Sequence, residues 1–286
     1  MTDPVLRRSA LFLPASNPRA LAKARALPCD VVILDLEDAV APEAKEAARV
    51  AAVAAVAEGG WGRRELVVRV NALSSPWGGD DCTALRHARP DAVLVPKVDD
   101  AVAVEAYAGR LGDGVPVWAM VETARAVLGL ADLAAARGLA ALVMGFNDLA
   151  LEMRAVLGAE RTPFLPFLAQ AVAAARVNGL AILDAVHNAI DDPDALAREC
   201  AQGRAFGADG KTLIHPAQIA AANRAFAPDE AEVAAATAIV AAFEEPAAAG
   251  LGAIRVGGRM VERLHLAAAR RTLALAAAVD AANHLS

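Results

Sequence analysis

Short runs of apolar, largely β-branched residues recur along the chain and alternate with longer segments of helical periodicity. Continuous apolar runs of this length are typical of strands that are buried on both faces of a sheet. The strands are expected at Ser9–Leu13, Val31–Glu37, Leu66–Asn71, Asp91–Lys97, Val115–Met120, Ala140–Gly145, Leu180–Asp184 and Lys211–Pro216. Eight strands that alternate with helices in this way predict a parallel (β/α)8 TIM barrel.

The chain beyond the eighth strand predicts a C-terminal helical extension. We expect a barrel domain over residues 1–228 and an extension over residues 229–286. The pattern around and within the extension predicts an alanine-rich helix at Pro228–Ala249, a short strand at Ala253–Val256 and a final helix from about Glu262 to Ala282. Such a segment is too small to fold alone, so it should pack on the barrel or on a neighbouring subunit.

Three carboxylates stand within four positions at the end of the second predicted strand: Asp35, Glu37 and Asp38. The two-residue period of a strand puts Asp35 and Glu37 on one face, and Asp38 begins the turn. Carboxylates at a buried strand end need a metal, a cation or a polar substrate to offset lost hydration. An alternative for Asp38 alone is that it caps the next helix. The three together favour a functional site.

Charged residues also end or follow three other predicted strands. Arg69 lies at the end of the third, Glu122 follows the fifth and Asp148 follows the sixth. In a TIM barrel these ends meet at one face, where barrel enzymes hold their sites. Each carboxylate alone would also serve as a helix cap, but the pair on adjacent strands favours a Mg²⁺ site completed by substrate oxygens and water. The guanidinium of Arg69 suits a carboxylate or enolate oxygen.

Four other residues keep two interpretations each. Arg19 and Lys23 lie one helical turn apart near a helix start, either on a solvated face or as a phosphate clamp. Lys97 is either a Schiff-base lysine or a salt-bridged structural lysine, and its charged neighbours favour the second role. His215 fits a packed, hydrogen-bonded residue better than a catalytic one. The serines and cysteines have no nucleophile elbow around them.

Composition excludes several other classes of protein. The net charge of −6 is spread along the chain, which argues against a nucleic-acid-binding surface. No membrane helix is expected, because no stretch of roughly eighteen apolar residues is free of charge. The N-terminus has no signal-peptide pattern. The cysteines are odd in number and scattered, which predicts neither a disulfide framework nor a zinc site. A cytoplasmic enzyme is expected.

The strand-end motifs resemble those of one known family. In chain order they are Leu34-Asp-Leu-Glu-Asp-Ala-Val40, Val68-Arg-Val-Asn71, Pro96-Lys97, Val121-Glu-Thr123, Gly145-Phe-Asn-Asp-Leu149 and Asp209-Gly-Lys-Thr-Leu-Ile-His-Pro216. Together they resemble the citrate lyase beta group of the HpcH/HpaI aldolase/citrate lyase family. The resemblance runs from Arg8 to the C-terminus, which is nearly the whole chain.

This resemblance implies a Mg²⁺-dependent lyase that acts on a 3-hydroxyacyl-CoA thioester such as citryl-, malyl- or citramalyl-CoA. It also implies a homotrimer. By similarity, Glu122 and Asp148 bind the metal beside the substrate, and Arg69 contacts the substrate carboxylate or carbonyl. Glu37 and Asp38 are expected to support catalysis.

The resemblance also addresses the two ends of the chain. The helix with Arg19 and Lys23 corresponds to the region that meets coenzyme A in relatives. Near the C-terminus, Glu262 stands where relatives carry a catalytic Asp that reaches a neighbouring subunit. We expect Glu262 to act as the acid/base residue, and the alternative is a glutamate that begins a helix.

Two other places depart from the family pattern: Ala15 where Gly is frequent, and Asp184–Ala189 where relatives read Asp-Gly-Val-Tyr-Asn-Asp.

The expected reaction is a reversible Claisen-type cleavage that gives a 2-oxo acid and a thioester enolate. One alternative is a thioesterase on the same substrates. Another is a citrate lyase beta subunit that works on an acyl carrier protein within a complex.

Overall fold

The computed structural model describes residues 4–245 and 248–284 and contains a closed barrel of parallel strands. The strands are β1 Ser9–Pro14, β2 Val31–Asp35, β3 Glu65–Arg69, β4 Ala92–Val95, β5 Val117–Val121, β6 Leu139–Met144, β7 Ala181–Asp184 and β8 Gly210–Leu213. Each strand pairs with the next along the chain, and β8 closes the sheet against β1. The predicted (β/α)8 TIM barrel is therefore confirmed.

Strand β2 shows why continuous apolar runs form this barrel. Val31 and Ile33 pack in one buried cluster with Trp118 and other residues inside the barrel. Val32 and Leu34 belong to the larger cluster between the sheet and the helices. Alternate strand residues face opposite sides of a sheet, and both sides are dry here. Every position of the strand must therefore be apolar until the strand reaches its polar end.

Helices that follow the strands cover the outside of the barrel. They are α1 Pro18–Ala24, α2 Lys45–Glu58, α3 Gly78–Ala88, α4 Ala101–Leu111, α5 Ala124–Leu128, α6 Leu130–Ala134, α7 Phe146–Met153, α8 Leu165–Asn178, α9 Pro193–Phe206 and α10 Ile219–Ala225. In α2, the buried face carries Ala48, Ala52 and Ala55 at helical spacing, and these small side chains let the helix lie close to the sheet. Within the described residues, no helix combines the length and the apolar character needed to cross a membrane.

A buried ion pair lies at the N-terminal end of β2. Asp30 accepts hydrogen bonds from Arg8 Nε and Nη2, both at 2.8 Å, and from the Arg8 backbone N–H at 2.9 Å. Arg63 Nη1 donates a fourth bond at 2.9 Å. This face of a TIM barrel contributes to stability rather than to catalysis.

A second buried ion cluster joins the last residue of β7 to the start of β8. Asp184 accepts from Arg161 Nη1 at 2.8 Å and from Lys211 Nζ at 3.0 Å. Glu199 lies 3.1 Å from Lys211 Nζ and 2.9 Å from His187 Nδ1. The two carboxylates and the two basic side chains balance each other, so this cluster is self-contained as a structural element.

The chain from Ala227 onward forms a second compact unit together with the residues just before Arg7. Its elements are α11 Glu230–Glu244, β9 Ala253–Val256, β10 Arg259–Glu262 and α12 Arg263–His284. Strand β9 lies where the sequence predicts a strand. Strand β10, its antiparallel partner, is an addition to the predicted elements.

Helix α11 is shorter than the predicted alanine-rich helix Pro228–Ala249. It ends at Glu244, and Glu245 is already extended, with φ −64° and ψ 140°. Pro246 follows, and a residue before proline avoids the helical conformation for steric reasons. Pro246 and Ala247 themselves lie outside the described residues.

The three cysteines, Cys29, Cys82 and Cys200, are buried and free of disulfide bonds. Burial raises the pKa of each thiol to about 11. Because the thiolate is the form that attacks and binds metals, none of the three suits either role.

Candidate active site

A cavity of about 320 Å³ opens at the C-terminal ends of the barrel strands. A volume of this order suits a small acid or the acid portion of a larger substrate. Four carboxylates and one guanidinium are among its lining residues, and most of the others are apolar. The lining residues are Phe12, Asp35, Asp38, Ala39, Arg69, Met120, Glu122, Met144, Gly145, Phe146, Asn147, Asp148, Val186, Thr212 and Ile214.

Glu122 and Asp148 meet at this cavity, as their strand positions predict. Glu122 directly follows β5 and is 2% exposed, whereas Asp148 lies half-buried in the first turn of α7. Strands β5 and β6 are neighbours in the sheet, so the segments that follow them emerge side by side. Within the part of the chain that the structure describes, no group of three or more metal-binding side chains occurs. The pair thus offers a partial, all-oxygen donor set.

Gly145, the residue between β6 and α7, allows the close approach of Glu122. A Cβ atom at this position would lie 2.5 Å from Glu122 Cβ and 2.9 Å from Oε2. Carbon atoms do not approach this closely without displacing one another, so a larger residue would push Glu122 out of place. The Gly145–Leu149 motif therefore begins with glycine for a steric reason.

Lys97 contacts both carboxylates of the predicted metal site. Its backbone N–H donates to Glu122 Oε1 at 2.7 Å, and its Nζ lies 3.7 Å from Asp148 Oδ1. Its φ of +51° is unusual for a residue with a side chain. The ion pair agrees with the salt-bridged role favoured for Lys97 from the sequence.

Arg69 is surrounded by the carboxylates that end β2. Its Nε and Nη2 donate to the two oxygens of Asp35 at 2.7 and 2.6 Å. Its Nη1 lies 2.9 Å from Glu37 Oε2 and 3.4 Å from Asp38 Oδ2. The ring of Phe12 packs 4.9 Å from the guanidinium carbon. One edge of the guanidinium is therefore occupied by Asp35, and Nη1 faces the carboxyl groups of Glu37 and Asp38.

The sequence did not reveal Lys45 as part of this region. Its ammonium is buried and donates to the backbone oxygens of Leu36 and Glu37 at 2.8 and 2.7 Å. It also lies 5.3 Å from the ring centre of Trp77. A lysine at a helix start has no sequence signature for such a role, because the contact depends on how α2 packs beside the loop.

Burial controls the protonation of two glutamates at the site. It raises the pKa of Glu122 to about 7, opposed by the hydrogen bond from Lys97 and reinforced by the charge of Asp148. It raises the pKa of Glu37 to about 8, opposed by Arg69. Because the carboxylates outnumber the buried cations, a divalent cation at Glu122 and Asp148 would relieve their repulsion.

Mg²⁺ affinity is expected to rise with pH up to about 7. The pKa of Glu122 is raised from 4.5 to about 7. In the absence of metal, the stability that the protonated carboxyl gives to the fold is therefore present at low pH and is lost as the pH rises from 4.5 through about 7. Mg²⁺ needs the deprotonated carboxylate, so each pH unit below the pKa should weaken binding by up to roughly tenfold. Calorimetry from about pH 5.5 to 8 measures the affinity, and buffers of different ionisation enthalpy report the released protons. A flat affinity profile would contradict this.

Four predicted site residues lie outside the cavity lining. Glu37 is buried beside Arg69, behind the cavity wall. Arg19 and Lys23 are exposed on α1. Glu262 belongs to the C-terminal unit, where it is half-buried and its backbone N–H donates to His265 Nδ1 at 2.9 Å. Their expected roles toward coenzyme A and in proton transfer stay predictions.

His215 caps a short 3-10 turn. Its Nδ1 accepts the N–H of Ala217 at 3.2 Å, and the side chain of Gln218 accepts the His215 N–H at 3.2 Å. The expected hydrogen bond is present, but the residue is exposed rather than packed. The polar turn after β8 keeps the ring at the surface.

Two family models match the sequence. The model of the HpcH/HpaI aldolase/citrate lyase family matches residues 8–216, which is most of the chain and includes every barrel strand. A second model, described as a C–C bond lyase of the TIM-barrel fold, matches residues 160–279.

Relatives match almost the whole chain. A (3S)-malyl-CoA thioesterase of Cereibacter sphaeroides is 45% identical over 96% of this chain and 96% of its own. The citrate lyase subunit beta of Leuconostoc mesenteroides is 32% identical over 100% of this chain and 97% of its own. The structure of CitE from Mycobacterium tuberculosis in complex with magnesium, acetoacetate and coenzyme A has a TM-score of 0.79 and 32% identity, covering 94% and 97% of the two chains.

These matches agree with the barrel and with the motifs at its strand ends. The chain belongs to the HpcH/HpaI aldolase/citrate lyase family.

Proposed function

We propose that this chain is a Mg²⁺-dependent enzyme that acts on a 3-hydroxyacyl-CoA thioester of the malyl type. The observation that carries the proposal is that Glu122, Asp148 and Arg69 line one cavity at the catalytic face of the barrel. Relatives support it, since citrate lyase beta of M. tuberculosis was crystallised with oxaloacetate and magnesium, and CitE with coenzyme A.

The residues present fit Mg²⁺. Glu122 and Asp148 offer only oxygen atoms, which this ion prefers, and one or two carboxylates with substrate and water oxygens are its usual protein ligands. Gly145 leaves the room that the Glu122 side chain needs at this position. When bound, Mg²⁺ would polarise the substrate oxygens as a Lewis acid.

The chain's own side chains would bind the substrate and transfer protons. Nη1 of Arg69 makes no bond to Asp35, so it would stabilise negative charge on a substrate oxygen in place of its contacts with Glu37 and Asp38. The carboxyl of Glu37, with its pKa of about 8, keeps a proton near neutral pH and can transfer it within the site. Asp38 lies at the exposed rim beside Arg69.

Two reactions fit this machinery. In hydrolysis, water adds to the thioester, the C–S bond breaks, and malyl-CoA gives malate and free coenzyme A. In cleavage, a base takes the hydroxyl proton and the C–C bond breaks, which leaves glyoxylate and the thioester enolate, and the enolate takes up a proton to give acetyl-CoA. We place hydrolysis first because the 45% identical relatives are (3S)-malyl-CoA thioesterases. Cleavage is the second candidate, favoured by the C–C bond lyase model.

Product analysis separates the two reactions. The purified chain with Mg²⁺ is incubated with (3S)-malyl-CoA, citryl-CoA and citramalyl-CoA in turn, and products are identified by mass spectrometry. Malate, citrate or citramalate with free coenzyme A supports hydrolysis. Acetyl-CoA with glyoxylate, oxaloacetate or pyruvate, respectively, supports cleavage. If none of the three CoA thioesters is consumed but a thioester of an acyl carrier protein is, the chain works as a citrate lyase beta subunit in a complex. If neither kind of thioester is consumed, the proposal is overturned.

The proposal includes a homotrimer in which Arg19 and Lys23 meet the phosphates of coenzyme A and Glu262 serves a neighbouring barrel. Glu262→Gln is then expected to lower turnover by roughly 10² to 10⁴-fold, as loss of a general acid or base does. Mixing it with inactive Arg69→Ala should restore activity, because some hybrid sites combine an intact barrel with an intact tail.

Steady-state kinetics on the single variants and on the mixture provides the test. The matched control is Glu244→Gln, which changes an exposed glutamate of the same unit and should keep full turnover. A fully active Glu262→Gln protein rules out the catalytic role. No recovery on mixing counts against a shared site.

A further inference from the structure

We infer that Asp35 is a positioning residue that orients Arg69 and the acidic loop 36–39 at the same time. The inference rests on the proposed function, because that function gives Arg69 its contact with the substrate and Glu37 its part in proton transfer. Asp35 itself acts through these two neighbours.

The carboxylate of Asp35 is fully used inside the protein. Oδ1 accepts Arg69 Nε at 2.7 Å and the Glu37 backbone N–H at 2.9 Å. Oδ2 accepts Arg69 Nη2 at 2.6 Å and the Ala39 backbone N–H at 3.0 Å. The residue is 1% exposed. Its carboxylate therefore has little capacity left to bind a metal or substrate, although the residue borders the cavity.

These four bonds join two parts of the site that come from different strands. Arg69 ends β3, whereas Glu37 and Ala39 lie in the loop after β2. The strand register places Asp35 directly beside Arg69. The bidentate bond fixes the guanidinium plane, and the two backbone bonds fix the loop that carries Glu37 and Asp38.

Lys45 holds the same loop from the other side. Its ammonium binds the carbonyl oxygens of Leu36 and Glu37, while Asp35 binds the N–H of Glu37. The backbone of Glu37 is thus bonded at both its donor and its acceptor. A loop held in this way presents its side chains without reorganisation during the reaction.

Asp35→Asn is the sharpest test, because all four partners of the carboxylate are hydrogen-bond donors. An amide NH₂ group in place of either oxygen would face donors and break two bonds. The chain offers a matched control at the other end of β2. Asp30 is equally buried and also accepts four hydrogen bonds from donors, two of them a bidentate pair from Arg8.

We expect both Asn variants to melt at lower temperature than the wild type. Turnover is divided by the number of Mg²⁺-binding sites that calorimetry counts, so that unfolded protein does not affect it. On this measure Asp35→Asn should lose turnover by roughly a hundredfold, whereas Asp30→Asn should keep it. Mg²⁺ affinity should stay within about threefold in both, since Glu122 and Asp148 are unchanged. Within an Arg69→Lys background, Asp35→Asn should lower turnover by a smaller factor than it does in the wild type, because the part of its effect that runs through Arg69 is already gone.

Full turnover by Asp35→Asn, or an equal loss in Asp30→Asn, would overturn the inference. If Asp35→Asn does not fold, Asp35→Glu keeps the charge, shifts it by one methylene and should still lose turnover. If the wild type consumes no thioester, the proposed function fails. The positioning role is then decided by calorimetry with oxaloacetate and Mg²⁺, where Asp35→Asn but not Asp30→Asn should bind roughly tenfold more weakly. Equal binding would overturn it.

Discussion

Glu122→Gln is expected to lower Mg²⁺ affinity by at least roughly a hundredfold and to remove turnover with it. The amide oxygen would keep the bond from the Lys97 N–H, now 2.7 Å from Oε1. The NH₂ group would then replace the other carboxylate oxygen, and a nitrogen donor group does not bind a cation. Asp148→Asn should act in the same direction. Calorimetry with Mg²⁺ on the folded variants, with turnover of the thioester, gives both values.

Glu65→Gln is the matched control for these variants. Glu65 begins β3 at the opposite end of the barrel and pairs with Arg7 at 2.6 Å. Its replacement also removes one carboxylate charge, but Mg²⁺ affinity should remain that of the wild type. If Mg²⁺ affinity is unchanged in both Glu122→Gln and Asp148→Asn, the metal assignment is wrong.

Arg69→Lys is expected to lower kcat/KM by roughly 10² to 10³-fold although it keeps the positive charge. One ammonium cannot replace Nε and Nη2 at both oxygens of Asp35 and also reach the place of Nη1. The Asp35 carboxylate and the Glu37 carboxyl would lose their common partner. Steady-state kinetics on the folded variant measures the effect.

Arg8→Lys tests whether that loss is specific to the site. It breaks the same kind of bidentate pair with Asp30 and should cost stability while turnover is kept. Turnover near the wild-type rate in Arg69→Lys would mean that a point charge is enough at this position.

The barrel was predictable because both faces of its strands are dry. Most strands therefore appear in the sequence as apolar runs that stop at a polar residue, whereas β8 carries Lys211 and Thr212 within it. Strand β10 was harder, because it is only four residues long and Val261 is its one buried residue. Its signal was Gly257-Gly258, whose positive φ angles of 54° and 82° form the tight turn between β9 and β10.

The site was predictable in its residues but not in their pairing. Strand ends identified Arg69, Glu122 and Asp148, since barrel topology alone brings such positions to one face. That Arg69 binds Asp35 depends on the register between β2 and β3, which a one-residue shift would change. The hydrogen bonds from Lys45 to the loop depend on how α2 packs, and such packing has no recognisable pattern in the local sequence.

The buried cysteines make one assay of this protein unusually simple. Their thiols are inaccessible, and with pKa values of about 11 they are almost entirely protonated near neutral pH. A disulfide dye that turns yellow on reaction with thiols would therefore leave the folded enzyme untouched. The colour would report liberated coenzyme A alone, so hydrolysis could be followed continuously. C–C cleavage keeps the thioester and would therefore produce no colour.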